Sequence, residues 1–240
     1  MAELTCKYSS VQTMGTLDGP GVRFILFLQG CPLSCGYCHN PETRAFDSGK
    51  TATVTEIMAK VSRCRSYFGK KGGITVSGGE PLMQAKFVTE LFKQCRKAGI
   101  HTCIDTSGCI LNDDIREMLE YTDLCLLDIK MTNNDDYKKY IGCDMSAPLK
   151  FLEETVQKNI PVWLRQVIVE GINDSKENVK LFNDIAQKYD NVVFSELLPF
   201  RKMCESKYKE MDIPFPFEVY PETDKAVIEK LTVFLTKTNK

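Results

Sequence analysis

Three cysteines stand close together in the stretch GCPLSCGYCHNP, which covers residues 30–41. Cys31, Cys35 and Cys38 are separated by three and then two residues, and His39 follows the last thiol directly. Thiolates at this spacing suit a 4Fe-4S cluster, which takes cysteine ligands and usually four of them. With only three, one iron would keep an open coordination position for an outside ligand. A zinc site that includes His39 and a chance grouping of thiols are the alternatives.

The other cysteines are scattered along the chain. The sequence has 11 cysteines, an odd number that cannot all pair within one chain. Eight of them lie outside the triplet: Cys6, Cys64, Cys95, Cys103, Cys109, Cys125, Cys143 and Cys204. Several fall in apolar segments, where cysteine behaves as a small buried hydrophobe. We therefore expect these eight to belong to the core rather than to a second ligand set.

The composition excludes several classes of protein. The chain has 240 residues, of which 43% are hydrophobic and 26% charged, and its formal net charge is −1. A charge so close to zero provides no basic field for gathering nucleic acid. No apolar run reaches the roughly 18 residues that a membrane span needs, and the start of the chain does not resemble a signal peptide. We therefore expect a cytoplasmic protein, without membrane or nucleic-acid partners.

Predicted strands and helices alternate along the chain. The strands are expected at residues 22–29, 73–77, 101–106, 124–130, 162–169 and 192–200, because these runs are short, apolar and bounded by turn residues. The helices are expected at 53–68, 85–99, 112–121, 147–159, 175–189 and 222–237. Such alternation predicts an α/β fold with a parallel sheet and right-handed crossovers. Periodicity alone leaves open whether the sheet is doubly wound or a partial barrel.

Polar residues and glycines lie at or near the carboxyl ends of these strands. They are Gly78, Gly79 and Glu80 after the second strand, Asp105 and Thr106 at the third, Asp128 and Lys130 at the fourth, Arg165 in the fifth and Glu196 in the sixth. In α/β proteins the active site forms at the carboxyl edge of the sheet. We therefore expect these residues and the cysteine loop to serve one site.

Two motifs together resemble a known superfamily. The Cys31, Cys35 and Cys38 triplet, with the aromatic Tyr37 before its last member, is similar to the signature of the radical S-adenosylmethionine (SAM) enzymes. SGGEP, residues 77–81, resembles the second motif of that superfamily, and its glycines allow the main chain to approach a ligand closely. The resemblance implies a partial (β/α)6 barrel of parallel strands in a single domain, 1–240, with its core at about 16–200 and a C-terminal extension at about 201–240.

Four further stretches narrow the resemblance to the activating enzymes of glycyl radical enzymes. They are GTLDGPGVRF, GCPLSCGYCHNPET, HTCIDTSG and LLDIK. Residues 39–77 contain one cysteine, Cys64, so the chain lacks the cysteine-rich insert of many relatives and resembles the short, formate-lyase type. The implied reaction is reductive cleavage of SAM at the cluster, after which a 5′-deoxyadenosyl radical removes a hydrogen atom from a backbone glycine of the partner. The implied partners are pyruvate formate-lyase and a flavodoxin or ferredoxin electron donor, and we expect a monomer.

The resemblance also assigns residues to roles. The cluster ligands are Cys31, Cys35 and Cys38, and the SAM contacts are Tyr37, Cys38, His39, Gly78, Gly79, Glu80, Asp128, Ile129, Lys130 and Arg201. A monovalent cation site (sodium or potassium) is implied at Asp105, Thr106, the Leu126 carbonyl and Asp128, since oxygen ligands suit a hard cation. Arg201 follows Phe200 where relatives place Tyr-His, and its guanidinium can donate two hydrogen bonds to a carboxylate. No general acid or base is expected, because hydrogen-atom abstraction needs none.

Less specific interpretations remain open at this point. Residues 105–108 are also typical of a simple turn, Asp128 and Lys130 of an exposed ion pair, and residues 18–21 of a loop. At the level of function, the alternatives are an activating enzyme for a different glycyl radical enzyme, a radical enzyme acting on a small molecule, and a non-catalytic zinc or cluster module.

Overall fold

The computed structural model describes residues 3–238 and contains one mixed sheet. Its eight strands are β1 (Thr5–Gly15), β2 (Arg23–Leu28), β3 (Lys50–Thr53), β4 (Gly73–Gly78), β5 (His101–Thr106), β6 (Leu124–Asp128), β7 (Val162–Ile168) and β8 (Val192–Pro199). The strand order is β3-β1-β2-β4-β5-β6-β7-β8. Apart from β3, the six strands from β2 to β8 lie side by side in the order in which they occur in the chain. In a doubly wound sheet this order reverses at one point. The α/β fold with a mostly parallel sheet is confirmed.

The helices alternate with these strands as the sequence predicts. They are α1 (Val54–Arg63), α2 (Ala85–Lys97), α3 (Asp113–Leu119), α4 (Asn134–Asp136), α5 (Ser146–Gln157), α6 (Lys176–Lys188), α7 (Glu205–Glu210) and α8 (Lys225–Thr232). Helix α1 begins with a reciprocal capping box, in which the Glu56 amide bonds to Thr53 Oγ1 at 3.2 Å and the Thr53 amide to Glu56 Oε2 at 2.8 Å. Asn112 caps α3 by accepting from the Ile115 amide at 3.0 Å.

Several elements differ from the prediction. Strands β1 and β3 were not expected; β1 pairs antiparallel with both β2 and β3 at the edge of the sheet. The short helices α4 and α7 and the π-helical turn Tyr137–Ile141, which continues α4, were not expected either. The predicted helix 53–68 ends at Arg63 and is followed by a 3₁₀ turn, and the predicted helix 222–237 is shortened to α8. None of these differences changes the strand–helix alternation.

The described chain divides into two compact units. Unit 1 comprises residues 3–32, Thr43–Thr106 and Ile110–Leu126, and unit 2 comprises Leu33–Glu42, Ser107–Cys109 and residues 127–238. The prediction of a single domain with a core at about 16–200 stays a prediction, and residues 1–2 and 239–240 of its span lie outside the described residues.

Each unit has an apolar core built on its strands. In unit 1 the core includes Phe24, Leu26 and Leu28 of β2, and in unit 2 it includes Leu164 and Ile168 of β7, all of them fully buried. Burial of each such side chain contributes about 1.5–3 kcal/mol of transfer free energy. Six of the eight scattered cysteines are buried, as expected, while two are half-buried: Cys109 and Cys143. Among residues 3–238, no helix is both long and apolar enough to cross a bilayer.

Candidate active site

In unit 1, main-chain hydrogen bonds join the SGGEP motif to the end of β2. Strands β2 and β4 are parallel neighbours, with Leu28 paired to Gly78. Beyond the strands, the Gly79 amide donates to the Leu28 carbonyl at 2.9 Å and the Glu80 amide donates to the Gly30 carbonyl at 2.8 Å. The second motif and the start of the cysteine loop are therefore fixed to each other by the backbone, as the predicted carboxyl edge requires.

The two glycines of the motif are needed for close packing. Gly78 has φ = 113°, a conformation that side-chain-bearing residues rarely adopt. A Cβ atom at Gly78 would overlap the backbone of Leu28, and one at Gly79 would overlap the carbonyl of Gly30. Both positions thus exclude any larger residue even before a ligand is considered. Their role as SAM contacts stays a prediction.

Side chains of the same edge bond to one another. Glu80 is 1% exposed, and its Oε1 atom accepts from Thr106 Oγ1 at 2.6 Å and from the Leu82 amide at 3.2 Å. Ser77 Oγ donates to Asp105 Oδ2 at 2.8 Å. The ends of β4 and β5 are therefore linked through these pairs, so Asp105 and Thr106 do more than form a turn. Leu126, the other predicted cation ligand in unit 1, is fully buried in β6.

The three cysteines of the triplet are held by different local contacts. Cys31 belongs to unit 1, where it is half-buried and its amide donates to the Arg44 carbonyl at 3.1 Å. Cys35 and Cys38 belong to unit 2; Cys35 is buried, Cys38 is half-buried, and the Cys38 amide donates to the Cys35 carbonyl at 3.2 Å. Within residues 3–238, no three His, Cys, Asp and Glu side chains form a group that could hold a single metal ion.

The unit 2 part of the cysteine loop rests on two elements that the sequence did not indicate. The Ser34 amide donates to the Ile141 carbonyl at 3.0 Å and the Gly36 amide to the Tyr140 carbonyl at 2.9 Å, so the π-helical turn supports the loop. The Phe217 ring occupies the space where a Cβ at Gly36 would lie. Phe217 comes from the proline-rich segment after α7, and its ring centroid is 5.6 Å from that of Tyr140.

Asp128, Lys130 and Arg165 form a buried charged group in unit 2. Asp128 Oδ1 lies 3.0 Å from Arg165 Nε, and Asp128 Oδ2 lies 3.2 Å from Lys130 Nζ. The three side chains are only 10–22% exposed, so the alternative of an exposed, weak ion pair is wrong. Ile129, a predicted SAM contact, lies between Asp128 and Lys130 in the sequence and is fully buried. Its amide donates to the Arg165 carbonyl at 3.0 Å.

The charges in this group stabilise one another. Burial alone would raise the pKa of Asp128, but Arg165 and Lys130 hold it below its usual value. Burial alone would lower the pKa of Lys130, but Asp128, with Tyr37 and Cys35 nearby, raises it well above its usual value. All three side chains are therefore ionised near neutral pH. The group therefore places two buried cations around one carboxylate.

The Tyr37 hydroxyl lacks a hydrogen-bond partner among the described residues, although it is buried. Lys130 Nζ stands 5.9 Å from the centroid of the Tyr37 ring, and the Phe217 ring packs edge-on to it at 5.6 Å. Burial raises the pKa of Tyr37 well above its usual value, so the hydroxyl keeps its proton. A buried donor without a partner costs about 1–3 kcal/mol. This vacant hydrogen-bonding capacity fits a site that receives a polar ligand.

His39 and Arg201 meet through the backbone rather than through the guanidinium. His39 Nε2 lies 2.9 Å from the Arg201 carbonyl, which can only accept, so Nε2 carries the proton and Nδ1 is the acceptor of the neutral ring. Burial lowers the pKa of His39, which favours the neutral form. The Arg201 guanidinium lies 3.7 Å from Glu222 Oε2 and its side chain is 38% exposed. Its predicted role as a cofactor contact stays a prediction.

An internal arginine anchors the glycine-rich stretch that precedes β2. Arg23 is 0% exposed; its Nε donates to Thr75 Oγ1 at 2.9 Å, and Thr75 Oγ1 donates to the Asp18 carbonyl at 2.6 Å. The segment 18–21 is therefore tied to β4 rather than being only a loop. The signal for this residue was present in the sequence as one charge inside an otherwise apolar strand.

Comparison with known proteins agrees with the resemblance seen in the motifs. Residues 25–182 match the family model described as the Radical SAM superfamily. The chain is 43% identical over 229 residues to the pyruvate formate-lyase-activating enzyme of Staphylococcus epidermidis, which covers 92% of this chain and 91% of that protein. It is 39% identical over 230 residues to the enzyme of the same name from Clostridium pasteurianum, covering 95% and 96%.

A solved structure agrees in fold. A domain of the pyruvate-formate lyase-activating enzyme from Bacteroides vulgatus superposes with a TM-score of 0.56 at 22% identity, covering 68% of this chain and 92% of that one. At this level of identity the likeness supports the fold alone.

Proposed function

Because this chain belongs to the radical SAM superfamily and, within it, to the pyruvate formate-lyase-activating enzymes, we propose that it activates pyruvate formate-lyase by removing a hydrogen atom from a backbone glycine of that protein. The observation that carries the proposal is the 43% identity to such an enzyme over 92% of the chain. The buried polar groups on Tyr37, Asp128 and Lys130 support it, because they provide a place for a charged, polar cofactor.

The family implies a 4Fe-4S cluster and SAM, and the residues present fit both. Cys31, Cys35 and Cys38 provide three thiols, and each thiolate of such a cluster binds a different iron, so its ligands need not converge on one point as those of a single ion do. Three thiolates leave the fourth iron open to SAM. When bound, cluster and SAM together supply the one-electron chemistry that abstracts hydrogen; the chain positions and shields them.

The buried charged group would orient the methionine end of SAM. Lys130 has three donors and spends one on Asp128, while Arg165 holds Asp128 from the other side. The Lys130 ammonium, which is only 14% exposed, has donors beyond the one directed at Asp128 that could bind the SAM carboxylate. The backbone of Gly78 and Gly79, which belong to unit 1, would bind the methionine amino group.

Tyr37 and His39 would contact the adenosyl part. The Tyr37 hydroxyl is a buried donor that requires an acceptor, and His39 Nδ1 is an acceptor because Nε2 donates to a carbonyl. Together they offer one donor and one acceptor, a pair suited to the edge of an adenine or to ribose hydroxyls.

The proposal extends to a monovalent cation beside the SAM carboxylate. Asp105, Thr106, the Leu126 carbonyl and Asp128 offer only oxygen atoms, which suit sodium or potassium. We expect SAM to bind more weakly when these ions are replaced by tetramethylammonium, which is too large for such a site. An unchanged SAM dissociation constant across sodium, potassium and tetramethylammonium chloride at equal ionic strength would remove the cation from the proposal.

The proposed partners are pyruvate formate-lyase as protein substrate and a flavodoxin or ferredoxin as electron donor, with the chain acting as a monomer in the cytoplasm. The 11 cysteines are thiols rather than disulfides in the structure, which fits a reducing compartment. Size-exclusion chromatography with light scattering tests the monomer, and reduction of the cluster by purified flavodoxin or ferredoxin identifies the donor.

The direct test of the proposed function is activation of purified pyruvate formate-lyase under anaerobic conditions. The protein is reconstituted with iron and sulfide, reduced, and mixed with SAM and the lyase, and formation of acetyl-coenzyme A from pyruvate is followed. We expect activity with the wild type and with Cys109→Ala, a half-buried control thiol outside the triplet, but none with Cys35→Ala. Cleavage of SAM without lyase activity would point to a different protein or small-molecule substrate. Lack of SAM cleavage by a cluster-loaded protein would reject the proposal that this chain is an enzyme.

A further inference from the structure

The residues that follow the third cysteine are held by the segment after β8. The Tyr208 hydroxyl donates to the Cys38 carbonyl at 3.2 Å, and the Arg201 carbonyl accepts from His39 Nε2 at 2.9 Å. Lys207 belongs to the same segment. We refer to Arg201, Lys207 and Tyr208 as the clamp.

Lys207 makes the densest set of these contacts. Its Nζ atom donates to the His39 carbonyl at 3.1 Å, to Asn40 Oδ1 at 2.9 Å and to Glu42 Oε1 at 2.6 Å. An ammonium group has three donors, and here all three are directed at residues 39–42. The Lys207 side chain is 36% exposed, so its attraction to Glu42 alone contributes little stability. The three bonds tie one main-chain oxygen and two side-chain oxygens of residues 39–42 to a single ammonium group.

Buried aromatic side chains support the clamp. Tyr208 is 1% exposed and its ring packs on Phe215 at a centroid distance of 4.8 Å, while Phe215 lies against Phe200 at 6.2 Å. Cys204, which precedes α7, is also buried. Because α7 is anchored by these buried side chains, the bonds that it makes can fix the position of the cysteine loop.

We propose that Lys207 is a positioning residue: through the clamp it sets the backbone at Cys38 and His39 so that the open iron and the acceptor atom His39 Nδ1 face SAM together. This inference rests on the proposed function and adds a residue that does not touch the cofactor. The three Lys207 bonds go to residues 39–42 and not to a cysteine, so its loss is expected to weaken SAM binding rather than cluster assembly.

The test compares three variants of the anaerobically reconstituted protein. Lys207→Met keeps the apolar stem and removes all three donors, and Lys207→Arg restores a charged donor. Lys209→Met is the matched control, since Lys209 lies on the same helix, its side chain is 72% exposed and it forms an ion pair with Glu205 of that helix at 2.8 Å. For each protein we would measure iron and sulfide content, thermal unfolding of the apo form, the dissociation constant of SAM, and the electron paramagnetic resonance (EPR) spectrum of the reduced cluster with and without SAM.

We expect Lys207→Met to load a full cluster and to bind SAM about tenfold more weakly, the order of loss when hydrogen bonds to a charged group are removed from a partly exposed site. The change that SAM causes in the EPR spectrum should be reduced in Lys207→Met, largely restored in Lys207→Arg and unaltered in Lys209→Met. A purely structural role would instead lower cluster content or apo stability and leave the SAM dissociation constant of the loaded fraction unchanged.

Two results would overturn the inference: a wild-type dissociation constant and EPR response in Lys207→Met, or equal weakening in Lys209→Met. Tyr208→Phe provides a second arm, because it removes only the hydroxyl that reaches Cys38, and it should alter the EPR response in the same direction. Failure of the proposed function is distinguishable: if the chain does not bind SAM at a cluster, the wild type itself shows no response, and if only the protein substrate is wrong, the wild-type response to SAM is intact and the comparison of variants still holds.

Discussion

Replacing Asp128 with Asn should destabilise the protein substantially even without cofactors. Asp128 pairs with both Arg165, at 3.0 Å, and Lys130, at 3.2 Å. Asn keeps the shape but not the charge, so two cations with side chains only 10% and 14% exposed would lose the carboxylate that they share. Loss of one partner from a buried charged pair typically costs about 3–5 kcal/mol. Because these side chains retain some exposure, we expect a loss of about 3 kcal/mol in unfolding free energy.

Urea denaturation of the apoprotein measures this loss. Far-ultraviolet circular dichroism reports the whole fold, and fluorescence of Trp163, which packs on Phe194 at a centroid distance of 5.2 Å, reports β7 and β8. The control is Asp113→Asn, which removes a fully exposed carboxylate paired with Arg116 and should change the unfolding free energy far less.

The same experiment has a predicted pH dependence. The pKa of Asp128 is lowered in the folded protein, so its contribution to stability is fully present above its unfolded pKa of about 3.9 and is lost as the pH falls through the folded pKa. The difference between wild type and Asp128→Asn should therefore be constant from pH 7 to 5 and shrink below about pH 4. A loss of unfolding free energy at pH 7 no larger than that of Asp113→Asn would refute the prediction that Asp128 stabilises the fold through its pairs with Arg165 and Lys130.

Three further substitutions test packing and loop anchoring by denaturation, by the yield of folded protein and by hydrogen exchange. Gly36→Ala should lose about 1–3 kcal/mol, because the new methyl group overlaps the Phe217 ring, and adding Phe217→Leu should recover part of the loss; full stability in the single variant would contradict the packing. Gly78→Ala should yield little folded protein, since φ is 113° there and the neighbouring strand leaves no space; normal yield and stability would count against this. Thr75→Val should increase hydrogen exchange of the segment around Asp18, whose carbonyl loses its 2.6 Å bond; unchanged exchange would show that the bond does not order it.

Much of the site was predictable because its residues follow parallel strands. Gly79, Glu80 and Thr106 lie at the carboxyl ends of β4 and β5, as their positions in the sequence predicted. Their hydrogen bonds link these strand ends in unit 1. The helix caps at Thr53 and Asn112 were also predictable, since they depend on residues three positions apart.

Other parts depended on tertiary contacts that leave no local pattern. Strand β1 carries buried Cys6 and Tyr8 among exposed neighbours, and this partial alternation was too weak to separate it from a loop. Helix α7 spans six residues, too few for a helical period to show. Phe217 lies between prolines in a segment that shows neither a helical nor a strand period, yet it packs on the cysteine loop.

Arg201 shows a different reason for incomplete prediction. Its residue type suggested a guanidinium directed at a carboxylate ligand, whereas the structure uses its backbone carbonyl for His39 and pairs its side chain with Glu222. Backbone atoms are the same in every residue, so residue type carries no information about such a contact. The clamp residues Lys207 and Tyr208 escaped notice for a related reason, since their partners lie about 165 positions earlier in the chain.

In the proposed reaction this chain places a radical on a glycine of another protein. The most direct measurement is the EPR spectrum of the reduced, cluster-loaded protein mixed with SAM and purified pyruvate formate-lyase in the absence of oxygen. We predict a glycyl radical doublet that is absent without SAM and absent with Cys35→Ala. If SAM is consumed and no glycyl signal forms on the lyase, pyruvate formate-lyase is not the substrate and the proposed function is contradicted.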